Sequence, residues 1–415
     1  MIEETTVSEE STAEYLPLAG VTVLDFTHGV AGPYTTMLFA DLGATVWKIE
    51  KPGRGDATRY MNVSQRFRAD IPRSGGDYFL AINRNKYSIG VDLQTDGGRV
   101  LMLELAKKAD IAVSNFRPGV MERLGLGYQQ LNAANPKLIY ASLSAYGSSG
   151  PMAGQPGMDV AIQARSGVMS ITGYGDGRPV KPGVSLADFG GGVHLATAVL
   201  AALFRREHTG KGQEISVSLL DATLHMLINY SVAVMDGQAE IGPMGSGHPQ
   251  LVPFQAFPTS GGFIVIATGT NRLFTQLCGV LNVPELAVDE RFITNSDRVV
   301  YREELIPMLS AITVGKSTQE WIEIFEHEGI PCAPVNTLTE AFADEQLQSN
   351  GMLVRTEHSV YGDLHLLGSP YEFDGERLRT MRSPPLLGQD TEEILRDALR
   401  LDDEAISRLQ REHVI

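Results

Sequence analysis

Cysteine is nearly missing from this 415-residue chain: only Cys278 and Cys332 occur, far apart and without metal-type spacing. That excludes a disulfide framework and points to a reducing, cytoplasmic compartment. Positive charge is also in deficit, with 34 Lys and Arg against 50 Asp and Glu and a formal net charge of −16. A field of that sign repels nucleic acid and anionic membrane, so neither is an expected partner. No run of 18 consecutive apolar residues occurs, which argues against a membrane-spanning helix. Residues 1–15 lack a basic start and an apolar stretch, so they read as a solvated acidic tail, neither signal nor anchor. There is no Gly-x-Ser-x-Gly elbow and no His-Glu-x-x-His, and the nine histidines are scattered, so no metal site is expected.

What is present is an ordinary globular composition, 43% hydrophobic and 20% charged, in a chain long enough for at least two cores. From Val21 the patterning reads strand (Val21 to Phe26), helix (Pro33 to Leu42) and strand (Thr45 to Glu50), one βαβ unit. The alternation continues with strand Tyr87 to Leu93, a helix from about Gly97 to Lys107, and strands Ile111 to Phe116 and Leu138 to Leu143. An α/β fold with a Rossmann-like parallel sheet is therefore expected. Further on, Leu195, Val199 and Leu203 recur at the spacing of a buried helical face. Arg205, Arg206, His208 and then Gly210 supply its C-terminal signals. A Gly-, Pro-, Ser- and Met-rich stretch separates this from a second patterned region. The expected organisation is a large domain over 16–228, a linker over 229–254, a smaller α+β domain over 255–340, and a segment over 341–415 returning to the large domain.

Several short motifs lose to simpler structural explanations. Ser310 to Ser317 looks like a P-loop, but it lacks the first glycine and follows a helical stretch; Ser317 is expected to cap the helix that starts near Thr318. Gly53-Arg54-Gly55 opens like a dinucleotide fingerprint but lies after the second strand and lacks the third glycine. Cys332 has no cation or His beside it in sequence and reads as a small core residue. His28, following the first strand, is placed to line a crevice at the carboxyl end of the sheet.

The chemically distinctive stretch is Gly157-Met158-Asp159, then Gln163, and then Ala187-Asp188-Phe189-Gly190-Gly191-Gly192 at a helix start. Local pattern alone leaves two readings of Asp188 open. One is a helix cap on a glycine-rich turn. The other is a reactive carboxylate, with glycines admitting a substrate and the helix N-terminus supplying N–H groups and positive potential.

Across nearly its whole length the chain resembles the family III coenzyme A transferases, the group that includes formyl-CoA transferase and carnitine CoA-transferase. The resemblance is carried by Leu18 to Phe26, Ala31-Gly32-Pro33, Asp41-Leu42-Gly43-Ala44, Lys48-Ile49-Glu50, Asn85-Lys86, Asn115 to Gly119, Gly210-Lys211-Gly212-Gln213 and Gly329-Ile330-Pro331. It implies that Asp188 is a nucleophile passing through an acyl anhydride and an aspartyl-CoA thioester. It also implies an acyl pocket bordered by His28, Val30, Asp159, Gly190 and Gly191, and a coenzyme A site using Lys51, Val91, Asn115 and Arg123, with Arg59, Lys86 and Arg117 as further cations for its phosphates. Acyl-CoA is then a substrate, no tightly bound cofactor is implied, and the protein would be an interlocked homodimer. Two departures from formyl-CoA transferase, Val30 in place of a glutamine and Gly245-Ser246-Gly247-His248-Pro249 in place of a glycine run, argue against formate and oxalate. They favour a larger acid such as succinate, malate or itaconate. The rival in the same fold is α-methylacyl-CoA racemase, which pairs the aspartate with a histidine thirty residues upstream; that position is Met158 here, a side chain unable to act as a base.

Overall fold

The computed structural model describes residues 16–68 and 72–415, so the expected tail at 1–15 lies outside them. The chain divides into two compact units. The first draws on Met1–Val168, Lys181–Gln238 and Gln348–Ile415, the second on Met169–Val180 and Ala239–Leu347.

In the first unit the order is β1 (Thr22–Asp25), α1 (Ala31–Asp41), β2 (Thr45–Glu50), α2 (Asp77–Ile82), β3 (Lys86–Gly90), α3 (Asp96–Ala106), β4 (Ile111–Ser114), α4 (Val120–Arg123), α5 (Tyr128–Ala134) and β5 (Ile139–Ser144). It continues with α6 (Asp159–Arg165), α7 (Leu186–Thr209), β6 (Glu214–Ser218), α8 (Leu219–His225) and α9 (Ile228–Met235). All six strands are parallel, in the order β3-β2-β1-β4-β5-β6. Strands covered on both faces need apolar side chains at consecutive positions. β1 shows this: Val23 joins the core on one face, with Phe39, Ile139 and Leu195, while Leu24 joins the core on the other, with Trp47, Ile89 and Leu105.

By length and composition α7 would qualify as a membrane span, with a mean hydropathy of 1.5 in its most apolar window, despite the lack of an uninterrupted apolar run. Its residues Ala187, Gly191, Leu195 and Val199 instead recur every four positions and are buried against α1, β5 and α8, as in a core helix. Gly210 ends it in the left-handed conformation, φ +65°, which relieves the last carbonyls at no steric cost.

The C-terminal part of this unit closes the edge of the sheet. Asp390 accepts a hydrogen bond from Ser88 N at 2.8 Å and Thr391 Oγ1 accepts one from Gly90 N at 2.9 Å, so the outer strand β3 does not leave its amides bare. The predicted linker at 229–254 is only partly irregular, because α9 occupies its first residues: the exposed apolar run from Ile228 to Met235 reads as a loop beside so many glycines, yet it has helical periodicity.

The second unit is built on the antiparallel sheet β7 (Phe254–Thr259), β8 (Gly262–Ala267) and β9 (Cys332–Pro334), with α10 (Asn271–Val280), α11 (Asn295–Val300), α12 (Arg302–Thr313) and α13 (Thr318–His327) between β8 and β9. Phe257, Ile264, Phe274, Leu277, Trp321 and Phe325 form its core. Ser317 starts α13 through a capping box with Glu320, so the P-loop look-alike is a helix start. Cys332 is half-buried against this core, and burial pushes its thiol up, away from nucleophilic use.

Candidate active site

In a parallel sheet of this order the helices after β1 and β4 leave toward opposite faces, opening a crevice at the carboxyl ends of those strands. His28 follows β1 and Asn115 follows β4. Asn115 spans the gap: its Oδ1 accepts from His28 N at 2.8 Å and its Nδ2 donates to His28 O at 2.6 Å. The His28 ring packs edge-on against Phe116, and burial, aided by Lys48, holds its pKa below the usual value, so the imidazole is neutral at pH 7.

Above the ends of β1 to β4 lies a cavity of about 580 Å³ lined by His28, Lys51, Arg54, Tyr60, Val91 and Phe116, among others. Lys51 reaches Asp92 at 3.1 Å and stays half exposed, so its charge faces the cavity mouth. Of the residues expected at coenzyme A, Lys51 and Val91 line this cavity, Asn115 braces its floor through His28, and His28 itself, expected at the acyl pocket, lines it as well. Arg117 and Arg123 are exposed and flank Phe116, Val120 and Leu124, which do line it. Arg54 and Tyr60 were not expected there; the basic residue inside the Gly53–Gly55 turn was the available signal.

Arg59 and Lys86 are corrections. Both side chains are wholly buried and committed elsewhere. Arg59 forks onto Glu50, with Nε to Oε2 at 2.7 Å and Nη2 to Oε1 at 2.6 Å, and stacks over Phe79. Lys86 donates to Asp25, Pro33 O, Thr36 and Asn83. A cation with its donors filled and no solvent access cannot take a phosphate. The same layer contains Lys48, which donates to Asp56 at 2.9 Å and to Thr27 O at 3.0 Å. Asp56 in turn accepts from Gly29 N, so these charges hold the 27–29 turn in place. Gly29 sits in the left-handed region there, φ +76°. Val30 follows as the N-cap position of α1, half-buried and without a side-chain cap.

Asp188 lies in the first turn of α7, after Ser185 at the N-cap position, so it is not the cap itself. Its carboxyl is pushed up to about 7, first by burial and then by the Asp159 carboxylate, against a partial offset from Lys181. It is therefore only partly ionised at neutral pH, where an ordinary aspartate would be fully so. Asp159, at the start of α6, accepts from Ala187 N at 2.9 Å through Oδ1 and from Gln163 Nε2 at 2.8 Å through Oδ2. A carboxylate from another helix thus satisfies one of the open N–H groups of α7 directly before Asp188. Lys181 was missed as a site residue, and Gln163 was noted in the distinctive stretch without a role, although the four-residue spacing of Asp159 and Gln163 on one helix was legible.

The glycine run has a different role from the one expected of Gly190 and Gly191. A β-carbon at Gly190 would meet Met226, one at Gly191 would meet Leu219 at 2.5 Å, and one at Gly192 would meet Tyr34 and the Ala31 carbonyl at 3.0 Å. These glycines let α7 press against α8 and α1; the space beside them holds protein side chains. Their effect on the site is indirect: Gly192 brings the start of α1, and with it the His28–Val30 turn, close to the helix that carries Asp188. Met158 precedes α6 and is 76% exposed, and no histidine replaces it there.

A profile of the CoA-transferase family III matches residues 18–391. The mouse succinyl-CoA:glutarate CoA-transferase is 39% identical over 393 residues, covering 95% of this chain and 89% of that protein. The acetyl-CoA:oxalate CoA-transferase of Acetobacter aceti is 38% identical, covering 86% of this chain and 90% of that protein. A crystal structure of a CAIB/BAIF family protein from Brucella suis superposes with a TM-score of 0.81 at 34% identity, covering 92% of this chain and 99% of that one. A Mycobacterium tuberculosis crystal structure gives 0.80 at 32% identity, covering 91% and 98%.

Proposed function

The chain belongs to CoA-transferase family III, and from that premise we propose that it moves coenzyme A between dicarboxylic acids of the succinate and glutarate size through covalent intermediates on Asp188. The observation that carries this is the setting of Asp188. It is a half-buried carboxyl on the first turn of a long helix, raised to about 7 by burial and by the Asp159 carboxylate. Similarity to succinyl-CoA:glutarate CoA-transferases at 38–39% identity supports the acid class.

In this reading the ionised Asp188 oxygen attacks the thioester carbonyl, the C–S bond breaks, and CoA leaves as thiolate from a mixed anhydride. The thiolate then attacks the aspartyl carbonyl, and the donor acid departs as carboxylate, leaving an aspartyl-CoA thioester. The acceptor carboxylate reverses both steps. A raised pKa keeps some of the nucleophile protonated at pH 7, but it also makes the ionised fraction more basic and a better attacking group. Holding carboxylate and thioester together supplies an effective molarity of roughly 10⁵ M or more. The racemase pairs its aspartate with a histidine thirty residues upstream, and Met158 at that position provides no base.

The same reading includes a homodimer. Val193, Leu200 and Phe204 on α7 and Ile228, Val232 and Met235 on α9 leave apolar side chains exposed in the single chain, as a face covered by a second copy would. Light scattering coupled to size exclusion tests it; a stable monomer would remove the dimer from the reading.

The function is tested by incubating the protein with succinyl-CoA and a panel of mono- and dicarboxylates, then following new CoA esters and the Asp188 peptide by mass spectrometry. An acyl or CoA adduct on that peptide, with ester formation lost in Asp188→Ala, is the expected result. Ester formation that persists in Asp188→Ala would overturn the mechanism.

A further inference from the structure

A dicarboxylate at this site poses an electrostatic problem. Both of its carboxyls are ionised at neutral pH, yet the site already contains Asp159 and Asp188 in a chain of formal charge −16. One carboxylate reacts at Asp188. The other is repelled by these carboxyls unless a cation faces it, and any water it gives up is costly for a charge without a partner.

Among the described residues, the one cation whose charge bears on Asp188 is Lys181, in the segment that leads into α7. Asp159 does not consume it. Lys181 Nζ lies 3.8 Å from Asp159 Oδ2, beyond hydrogen-bond reach, while both Asp159 oxygens accept from Ala187 N and from Gln163. The ammonium donates to the neighbouring Pro182 carbonyl at 2.8 Å, its side chain is 36% exposed, and an ammonium has three donors. It is a cation with donor capacity to spare, held next to a carboxylate pair that would otherwise repel any anion.

We infer that Lys181 receives the distal carboxylate of the dicarboxylic acid and so makes the site selective for diacids over acids with one charge. This rests on the proposed exchange at Asp188. It assigns Lys181 a specificity role, separate from the nucleophilic role of Asp188 and from the positioning of α7 by Asp159.

The test compares glutarate with its monomethyl ester, nearly the same skeleton with one charge removed, as acceptors from succinyl-CoA. In a double-displacement exchange, kcat/KM for the acceptor reports only the second half-reaction, so the donor's own carboxylate does not enter. A charge-assisted hydrogen bond corresponds to roughly 10- to 100-fold in that ratio. Wild type is expected to prefer glutarate by that factor, Lys181→Met to lose the preference through a fall in glutarate alone, and Lys181→Arg to keep most of it. A wild type indifferent to the second charge, or a Lys181→Met variant that loses both acceptors in proportion, would overturn the assignment. The second pattern would instead mark Lys181 as acting on Asp188 itself. A wild type that forms no CoA ester from any acid sinks the transferase reading, and this shows before any variant is compared.

Discussion

The first unit contains two groups of acidic side chains that respond to burial in opposite ways. Beneath the 27–29 turn, Asp25, Glu50 and Asp56 are buried yet held below the ordinary carboxylate range, because burial is outweighed by Lys86, Arg59 and Lys48 and by hydrogen bonds to Thr27, Ser88 and Thr58. At the start of α7, Asp188 is less enclosed, but the charge that acts on it most strongly is another carboxylate, Asp159, and its pKa rises to about 7. The difference lies in partners more than in depth. Charges that serve the fold are paired and saturated, and the charge proposed to react is left without a hydrogen-bonded cation.

The sharpest way to break this comparison is to remove the acid that lacks a cation partner. Asp188→Ala is expected to cut CoA transfer by at least about 10³-fold while circular dichroism stays native, as for loss of a covalent nucleophile. Asp188→Asn adds a stability readout. Between about 4 and about 7 the folded state holds a proton on Asp188 that the unfolded chain does not, so ionising it costs stability as pH rises through that window. The Asn variant should therefore melt higher than wild type at pH 8, with the gain fading toward pH 4.

Disturbing the saturated group should do the opposite, costing stability first. Arg59→Met leaves Glu50 buried and unpaired, and a loss of about 3–5 kcal/mol is expected from urea unfolding. Adding Glu50→Gln to it should recover part of that loss, because the stranded charge is gone. The paired acids carry the reverse pH signature from Asp188: their stabilisation is present above their ordinary values near 4 and is lost as pH falls through their lowered folded values.

Asp159→Asn tests what sets the Asp188 pKa. Removing a like charge lowers it, so the acid limb of kcat/KM for the acyl-CoA should move below pH 7 while the hydrogen bond to Ala187 N can persist. An unmoved limb would mean that burial alone sets it. The smallest effects are expected in the glycine run. Gly192→Ala meets the Ala31 carbonyl and should cost about 1–3 kcal/mol, whereas Gly190→Ala meets only the end of the flexible Met226 side chain and should be near neutral by thermal melt.

Much of the frame was legible from patterning, because strands buried on both faces must be apolar at successive positions, as β1 (Val23-Leu24) and β4 (Ile111-Ala112-Val113) are. Asp188 was also legible, as an acid before three glycines at a helix start, and so was the end of α7 at Gly210. What misled was residue type read without partners. Arg59 and Lys86 look like phosphate ligands in a list of cations, and Gly190 and Gly191 look like room for a substrate. Lys86 pairs with Asp25, 61 positions away, and Gly191 faces Leu219, contacts that no local pattern records.

The sequence by itself determined the fold class, the family and the chemical identity of the acid at the head of α7, since each depends on residue order and spacing along one chain. Only the tertiary structure decided which charges are spent and which are available, because pairing and desolvation depend on neighbours brought together by folding. That is why the two carboxylates of Asp56 and Asp188, alike as letters, end on opposite sides of their ordinary pKa.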